Sequence, residues 1–179
     1  GSGRSIEAYS MYDKLCEVKD LLEKFGGHKM AAGLSIKPEN LEALRSRLNQ
    51  NAGLTQQDMT AKVRIDIPMP MVYASREFVQ ELQKLEPFGT GNRKPMFAER
   101  NVRLRNCTVH GRHRNVAKFT LDDESGYRVS GVYFGDADTF MQEINQHNGY
   151  VNVVYYPELN EYKKNVSLQI VVSHYGFSD

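Results

Sequence analysis

The spacing of apolar residues changes along the chain, from helical steps near the amino terminus to strand-like alternation in the carboxyl-terminal half. Residues 11–25 carry apolar side chains at three- and four-residue steps, which predicts an amphipathic helix that stops at Gly26-Gly27. A short strand is predicted at 33–36. Pro38 suits the first turn of a second helix, predicted over 38–50 with its leucines on one face.

Residues 56–94 form a predicted connector that contains one strand and one helix. Apolar and charged residues alternate at 61–67, which is the pattern of a half-buried strand. Ser75 is suited to cap the amino terminus of a helix that Pro87 and the loop at 89–92 would end. That Gly-Thr-Gly-Asn loop lacks the following Lys and Ser or Thr of a P-loop, so it predicts a turn rather than a nucleotide site.

From Pro95 onward the pattern predicts a β domain. A helix that contains Phe140 and Ile144 and ends at Gly149 separates the third and fourth of five candidate strands. Five strands with a helix in that position are the layout of an OB-fold, so the predicted fold class is α+β. The candidate strands are 102–109, 116–121, 127–134, 151–156 and 166–172.

The most unusual stretch is 25–33, Phe-Gly-Gly-His-Lys-Met-Ala-Ala-Gly. Glycine leaves the main chain uncovered, so an anionic oxygen can approach backbone N–H groups closely. If Ala31 and Ala32 open a helix, the positive end of its dipole would face the same anion, and His28 would add a hydrogen bond. The alternative is structural: Gly26 ends a helix and the next residues make a tight turn.

The pattern Gly26-Gly27-His28-x-x-Ala31-Ala32-Gly33 resembles the signature of the DHH-associated domain of DHH-superfamily phosphoesterases. The opening Ser-Gly-Arg-Ser at 2–5 is similar to the segment that precedes this signature in the RecJ family of exonucleases specific for single-stranded DNA. The sequence LEPFGTGNRKPMF at 85–97 resembles the linker into the RecJ OB domain. The resemblance covers almost the whole chain.

This resemblance implies a domain organisation and an activity. It implies the carboxyl-terminal part of a DHH-associated domain at 1–55, a connector at 56–94 and a five-stranded OB-fold barrel at 95–179. The chain is then expected to be the nucleic-acid-binding carboxyl-terminal portion of a RecJ-like 5′→3′ exonuclease of DNA repair and recombination. The sequence contains no Asp-His-His motif. We therefore expect no catalytic residue, metal or cofactor in this portion, with Mn²⁺ or Mg²⁺ held by the catalytic domain of the complete enzyme.

The same resemblance implies which residues of the first domain contact a DNA phosphate. These are Arg4, Ser5, Gly26, Gly27, His28, Ala31, Ala32 and Gly33.

The distribution of charge adds a second candidate surface. The formal net charge is only +1. Residues 93–118, however, hold eight Lys or Arg against the single acid Glu99, as expected of a surface that follows a phosphate backbone. Aromatic residues lie among the strands that follow, and base stacking on such rings tolerates any sequence. The candidate residues for single-stranded DNA are Arg103, Arg105, Arg112, Arg114, Lys118, Tyr133 and Tyr155. The alternative is a solvated charged face that serves solubility.

Composition argues against a membrane protein and against a paired-cysteine motif. No apolar run approaches the roughly 20 residues of a membrane span, and the two cysteines, Cys16 and Cys107, form no C-x-x-C pair. We expect a cytoplasmic protein whose partners are single-stranded DNA and, by resemblance, single-strand-binding or other repair proteins. Two alternatives stay open: a small-nucleotide phosphoesterase of the DHH superfamily, and a protein-interaction module.

Overall fold

The computed structural model describes residues Gly1–Ser178, which fold as two compact units, the first Gly1–Lys62 and the second beginning at Val63. Each unit is described by itself. The second unit begins inside the predicted connector at 56–94.

The first unit contains a three-stranded antiparallel sheet, and two short helices pack against one side of it. Its middle strand is β3, which pairs with β1 and β2. The strands are Ser2–Arg4 (β1), Leu22–His28 (β2) and Ala31–Ile36 (β3), and the helices are Met11–Cys16 (α1), Leu41–Gln50 (α2) and Gln56–Met59 (α3). A small core of Leu15, Val18, Ala32 and Leu44 lies between the sheet and α1 and α2.

The predicted helix at 11–25 is therefore wrong beyond α1. A 3₁₀ turn follows at Lys19–Leu21, and the glycine pair lies in strand β2 rather than after a helix. The register of β2 shifts between Leu22 and Lys24, so Leu22 and Phe25 both face the core three residues apart. A bulge in a strand thus reproduced the spacing of a helix. The strand at 33–36 and the second helix are confirmed, with Pro38 in a 3₁₀ turn that leads into α2.

The second unit is rich in β-structure. Its strands are Ile67–Pro68 (β4), Phe97–His110 (β5), Val116–Asp122 (β6), Arg128–Phe134 (β7), Tyr150–Tyr162 (β8) and Asn165–Gly176 (β9). Two helices of this unit are Arg76–Gln83 (α4) and Ala137–Gln146 (α5). The strands are ordered β4-β5-β6-β7-β9-β8, and β8 also pairs with β5.

The pairings of the five long strands consequently run in a ring, in the connection order of an OB-fold. Phe119, Leu121 and Ile170 point into the core that this ring surrounds, and Phe140 and Ile144 of α5 join it. The α+β class, the five strands after Pro95 and the helix between the third and fourth are confirmed.

The strand predicted at 61–67 is largely wrong. Only Ile67 and Pro68 pair, in parallel with the start of β5, while Val63 and Ile65 are exposed. Alternation alone did not produce a strand there because those residues have no partner strand among the described residues. The helix capped by Ser75 is confirmed: the Ser75 side chain accepts a hydrogen bond from the Phe78 backbone N–H.

Candidate nucleic-acid interface

The sheet of the first unit presents an exposed face with two of the predicted residues in one row. Arg4 on β1 and His28 on β2 both pair with Ala31 on the strand between them. Residues directly opposite each other in antiparallel strands lie on the same face, so Arg4 and His28 flank Ala31, about 10 Å apart. Both side chains are exposed, and His28 Nδ1 accepts a hydrogen bond from the Met30 N–H at 3.3 Å.

The neighbouring row on this face consists of small residues. Ser2, Gly33 and Gly26 pair across the three strands, and all three are exposed. A Cβ at Gly26 would meet no atom within 4 Å, so the space above the backbone is open. An anionic group can therefore approach the main chain at Gly26 and Gly33, beside the row that holds Arg4 and His28.

Four of the predicted phosphate contacts have structural roles that were not expected. Ala31 and Ala32 lie within β3, so no helix dipole points at the glycine pair, and Ala32 is buried in the core. Gly27 packs on Ala32 from the core side of the sheet. The Ser5 hydroxyl donates to the Tyr9 carbonyl at 2.6 Å and holds the turn after β1. The helix predicted to begin at the alanines is wrong, because Ala31 and Ala32 pair with β1 and β2 as part of the central strand.

The second unit has its own exposed face, on the outer side of β6 and β7. Lys118 and Thr120 of β6 lie opposite Val132 and Ser130 of β7. Lys118 and Ser130 are exposed and Thr120 is partly exposed, whereas Val132 between them is buried. At the end of this face Phe134 pairs with Val116, and its side chain is 59% exposed. A large aromatic ring open to solvent beside Lys118 is suited to stack on a nucleic-acid base.

The two tyrosines predicted to stack on bases are on the wrong side of their strands. Tyr155 is 0% exposed, and burial raises the pKa of its hydroxyl, which donates to the Met69 carbonyl at 2.7 Å. The Tyr133 ring stacks on Phe140 with 4.5 Å between ring centres, and Tyr175 meets it edge-on. Because side chains alternate between the two faces of a strand, the residue after Tyr133, Phe134, is the one that faces solvent.

The buried Tyr155 hydroxyl gives a testable stability effect. Tyr155→Phe should lower the free energy of unfolding by about 1–2 kcal/mol, because the Met69 carbonyl loses its buried donor. Tyr73→Phe is the control, since Tyr73 is 66% exposed and its ring stays in water. Denaturant unfolding of both variants measures the effect, and equal stability would show that the Tyr155 hydrogen bond contributes nothing.

The predicted arginines differ in how much of each guanidinium is engaged. Arg103 lies with its guanidinium carbon 5.4 Å from the centre of the Tyr150 ring, a cation–π contact. Arg105 donates from Nε to Asp122 at 2.5 Å. Within residues 1–178, neither Arg112 nor Lys118 has an ion-pair partner, and both are exposed.

Arg114 instead fixes the loop between β5 and β6. It donates from Nε and a terminal nitrogen to both carboxylate oxygens of Asp138, each at 2.5 Å. This guanidinium holds the pKa of the Asp138 carboxyl below its usual range. The loop is thereby tied to the start of α5, with Arg112 at its exposed tip, so Arg114 positions the loop more than it offers charge to a ligand.

Two further properties bear on function. Among residues 1–178, no three His, Cys, Asp or Glu side chains are placed to hold a metal ion. The helices of the same residues are too short or too polar for any of them to cross a bilayer.

Known families match both units. The model of the RecJ OB domain matches residues 65–174, and that of the DHHA1 domain matches residues 1–53.

Similar proteins match along the whole chain. The single-stranded-DNA-specific exonuclease RecJ of Bacillus subtilis is 30% identical over 100% of this chain, and that of Salmonella typhimurium is 32% identical over 96%. The chain spans 23% and 30% of those two proteins. A crystal structure of RecJ in complex with Mg²⁺ from Thermus thermophilus superposes with a TM-score of 0.77 at 21% identity, over 100% of this chain and 27% of that one.

Proposed function

The chain belongs to the RecJ family, and from that premise we propose that it is a nucleic-acid-binding portion of an exonuclease specific for single-stranded DNA. Each unit binds the DNA strand through its own exposed face. Hydrolysis is carried out by a Mn²⁺- or Mg²⁺-dependent domain of the complete enzyme. The names of its relatives, which are single-stranded-DNA-specific exonucleases, support this proposal.

The observation that carries the proposal is the exposed Phe134 ring beside unpaired cationic side chains. Lys118 lies on the neighbouring strand, and the tip of the loop at 111–115 holds Arg112. OB-folds bind oligonucleotides on the corresponding strands and on this loop. The cations neutralise phosphates while the ring takes a base.

This combination favours a single strand for a geometric reason. Paired bases in a duplex are stacked on their neighbours and offer no free face to Phe134, whereas an unpaired base does. Neither Lys118 nor Arg112 needs a particular base, because both contact phosphate. Binding is therefore expected to tolerate any sequence.

The first unit is proposed to hold a single phosphate. Arg4 and His28 lie at the two ends of the row beside Ser2, Gly33 and Gly26, so a phosphate over these small residues is within reach of both side chains and close to the backbone. In the complete enzyme this contact would fix the scissile strand for hydrolysis.

A titration of fluorescently labelled oligonucleotides tests the proposal. The chain should bind a single strand of about ten nucleotides at least about tenfold more tightly than the matching duplex. Equal affinity for the duplex, or no binding of the single strand at low salt, would contradict it.

Phe134 gives a residue-level prediction. Phe134→Ala should weaken single-strand binding by about 1–3 kcal/mol, the usual loss when one stacked base loses its aromatic partner. Tyr73→Ala is the matched control, because it removes a ring that is 66% exposed and belongs to the turn at Met71–Tyr73, outside β6 and β7. If both variants bind like the original chain in fluorescence anisotropy, Phe134 is not a stacking platform.

A further inference from the structure

One buried carboxylate lies beneath the outer face of the second unit. Asp122, at the end of β6, is the one charged residue among residues 1–178 that is buried, and its side chain is 11% exposed. Burying a charge is costly unless it is paired, so the groups that surround Asp122 are informative. Its direct neighbours across the strands are Arg103 on β5 and Arg128 on β7.

Two arginines reach this carboxylate, and each does so through Nε. Arg105 Nε donates to Oδ2 at 2.5 Å, and Arg128 Nε lies 3.3 Å from Oδ1. The second contact has the distance of an ion pair without the alignment of a hydrogen bond, which leaves Oδ1 buried and without a hydrogen-bond donor. Asp122, Arg105 and Arg128 are called the Asp122 cluster below.

Contact through Nε matters because it leaves the terminal fork of the guanidinium unused. Neither Arg105 nor Arg128 has a further side-chain acceptor within residues 1–178, and their side chains are 44% and 69% exposed. Two terminal N–H groups in a plane are the geometry that binds a phosphate with two parallel hydrogen bonds. Arg114 differs, because its Nε and a terminal nitrogen are both taken by Asp138.

From this geometry we infer that the Asp122 cluster is a phosphate clamp, in which Asp122 orients the Arg105 and Arg128 forks toward a backbone phosphate. Asp122 is a positioning residue, and the two arginines are the ligand contacts. Asp122 lies four residues from Lys118 along β6, about 13 Å away on the same face. The clamp therefore extends the phosphate path from Lys118 along that face. This inference rests on the proposed binding of single-stranded DNA.

Asp122→Asn separates the clamp from simple charge attraction, because the two predict opposite signs. Removing an acid from a cationic surface should strengthen DNA binding if only net charge matters. The clamp predicts single-strand affinity about fivefold weaker, because the forks lose the anion that holds them. Glu161→Gln is the matched charge control: Glu161 is exposed on β8, and its change should leave affinity equal or up to about twofold tighter.

Arg128→Lys tests the clamp without touching a buried group. The substitution keeps the positive charge but removes the two terminal N–H groups of the guanidinium. The clamp therefore predicts binding about tenfold weaker, whereas attraction by net charge alone predicts no change in affinity. Arg45→Lys, on the exposed side of α2, is the control and should bind like the original chain. If Asp122→Asn fails to fold in circular dichroism, Arg128→Lys alone decides.

Each outcome of these titrations either supports or overturns the clamp. Weaker binding by Asp122→Asn and Arg128→Lys, with unchanged controls, supports the clamp. Binding by Arg128→Lys equal to that of the original chain, or tighter binding by a folded Asp122→Asn, overturns the clamp and leaves the proposed function standing. Failure of the original chain to bind any single strand overturns the proposed function, and the clamp with it.

Discussion

Gly27→Ala is expected to disrupt the three-stranded sheet of the first unit. Gly27 has a φ of +149°, and a Cβ there would contact the Ala31 carbonyl and lie 2.5 Å from Ala32 Cα. The strands β2 and β3 would have to move apart, because neither obstacle is the flexible end of a side chain. Backbone strain and overpacking together should cost about 2–4 kcal/mol. Hydrogen exchange of the β2 and β3 amides measures the loss of local stability directly.

The neighbouring glycine supplies the control. Gly26 lies on the open face of the sheet, where a Cβ would meet nothing within 4 Å. Gly26→Ala should therefore keep amide protection within about 0.5 kcal/mol of the original chain. Similar losses at both positions would mean that the close approach of β2 to β3 does not set the stability of this sheet.

Raising the salt concentration is expected to weaken single-strand binding steeply. If about four cationic side chains contact phosphates, counterion release gives a slope of about −3 for log affinity against log salt. Affinity should then fall about fiftyfold as salt rises from about 50 to about 200 mM. Anisotropy titrations at four or five salt concentrations measure this slope.

Arg112→Gln isolates one of these contacts. Losing a single phosphate contact should reduce the slope by about 0.7 and weaken binding to all sequences equally. Lys37→Gln is the comparison, because Lys37 is exposed ahead of α2, outside the strands, and no DNA contact is assigned to it. An affinity that does not depend on salt would contradict the electrostatic contribution altogether.

The strand pattern of the second unit was predictable because its burial is one-sided. Along β6, for example, Ala117, Phe119 and Leu121 are buried while Lys118 and Thr120 between them are not. Alternation of this kind is visible in the sequence. Which of two adjacent aromatics faces the core was not visible, since Tyr133 and Phe134 are both compatible with either side. The partner that decides is Phe140, outside their strand, which stacks on Tyr133.

In the first unit, the sequence predicted the location of the exposed residues but not the secondary structure that carries them. The glycine-histidine pattern located the exposed row of Arg4 and His28 but not its architecture, because the bulge in β2 gives Leu22 and Phe25 the spacing of a helix. The Asp122 cluster is hidden in the sequence for a related reason. Asp122 begins a polar stretch that is typical of a turn, and only the register of three strands brings Arg105 and Arg128 to it.

Mapping of backbone amide shifts tests most directly that the outer face of β6 and β7 binds the strand. A single-stranded oligonucleotide of about ten nucleotides would be titrated into the isotope-labelled chain. Among amides of the second unit, we predict the largest shifts in the loop at 111–115 and around Lys118 and Phe134. Shifts confined instead to the cleft of Leu82, Phe88 and Tyr156, with the β6–β7 amides unmoved, would contradict the proposed interface.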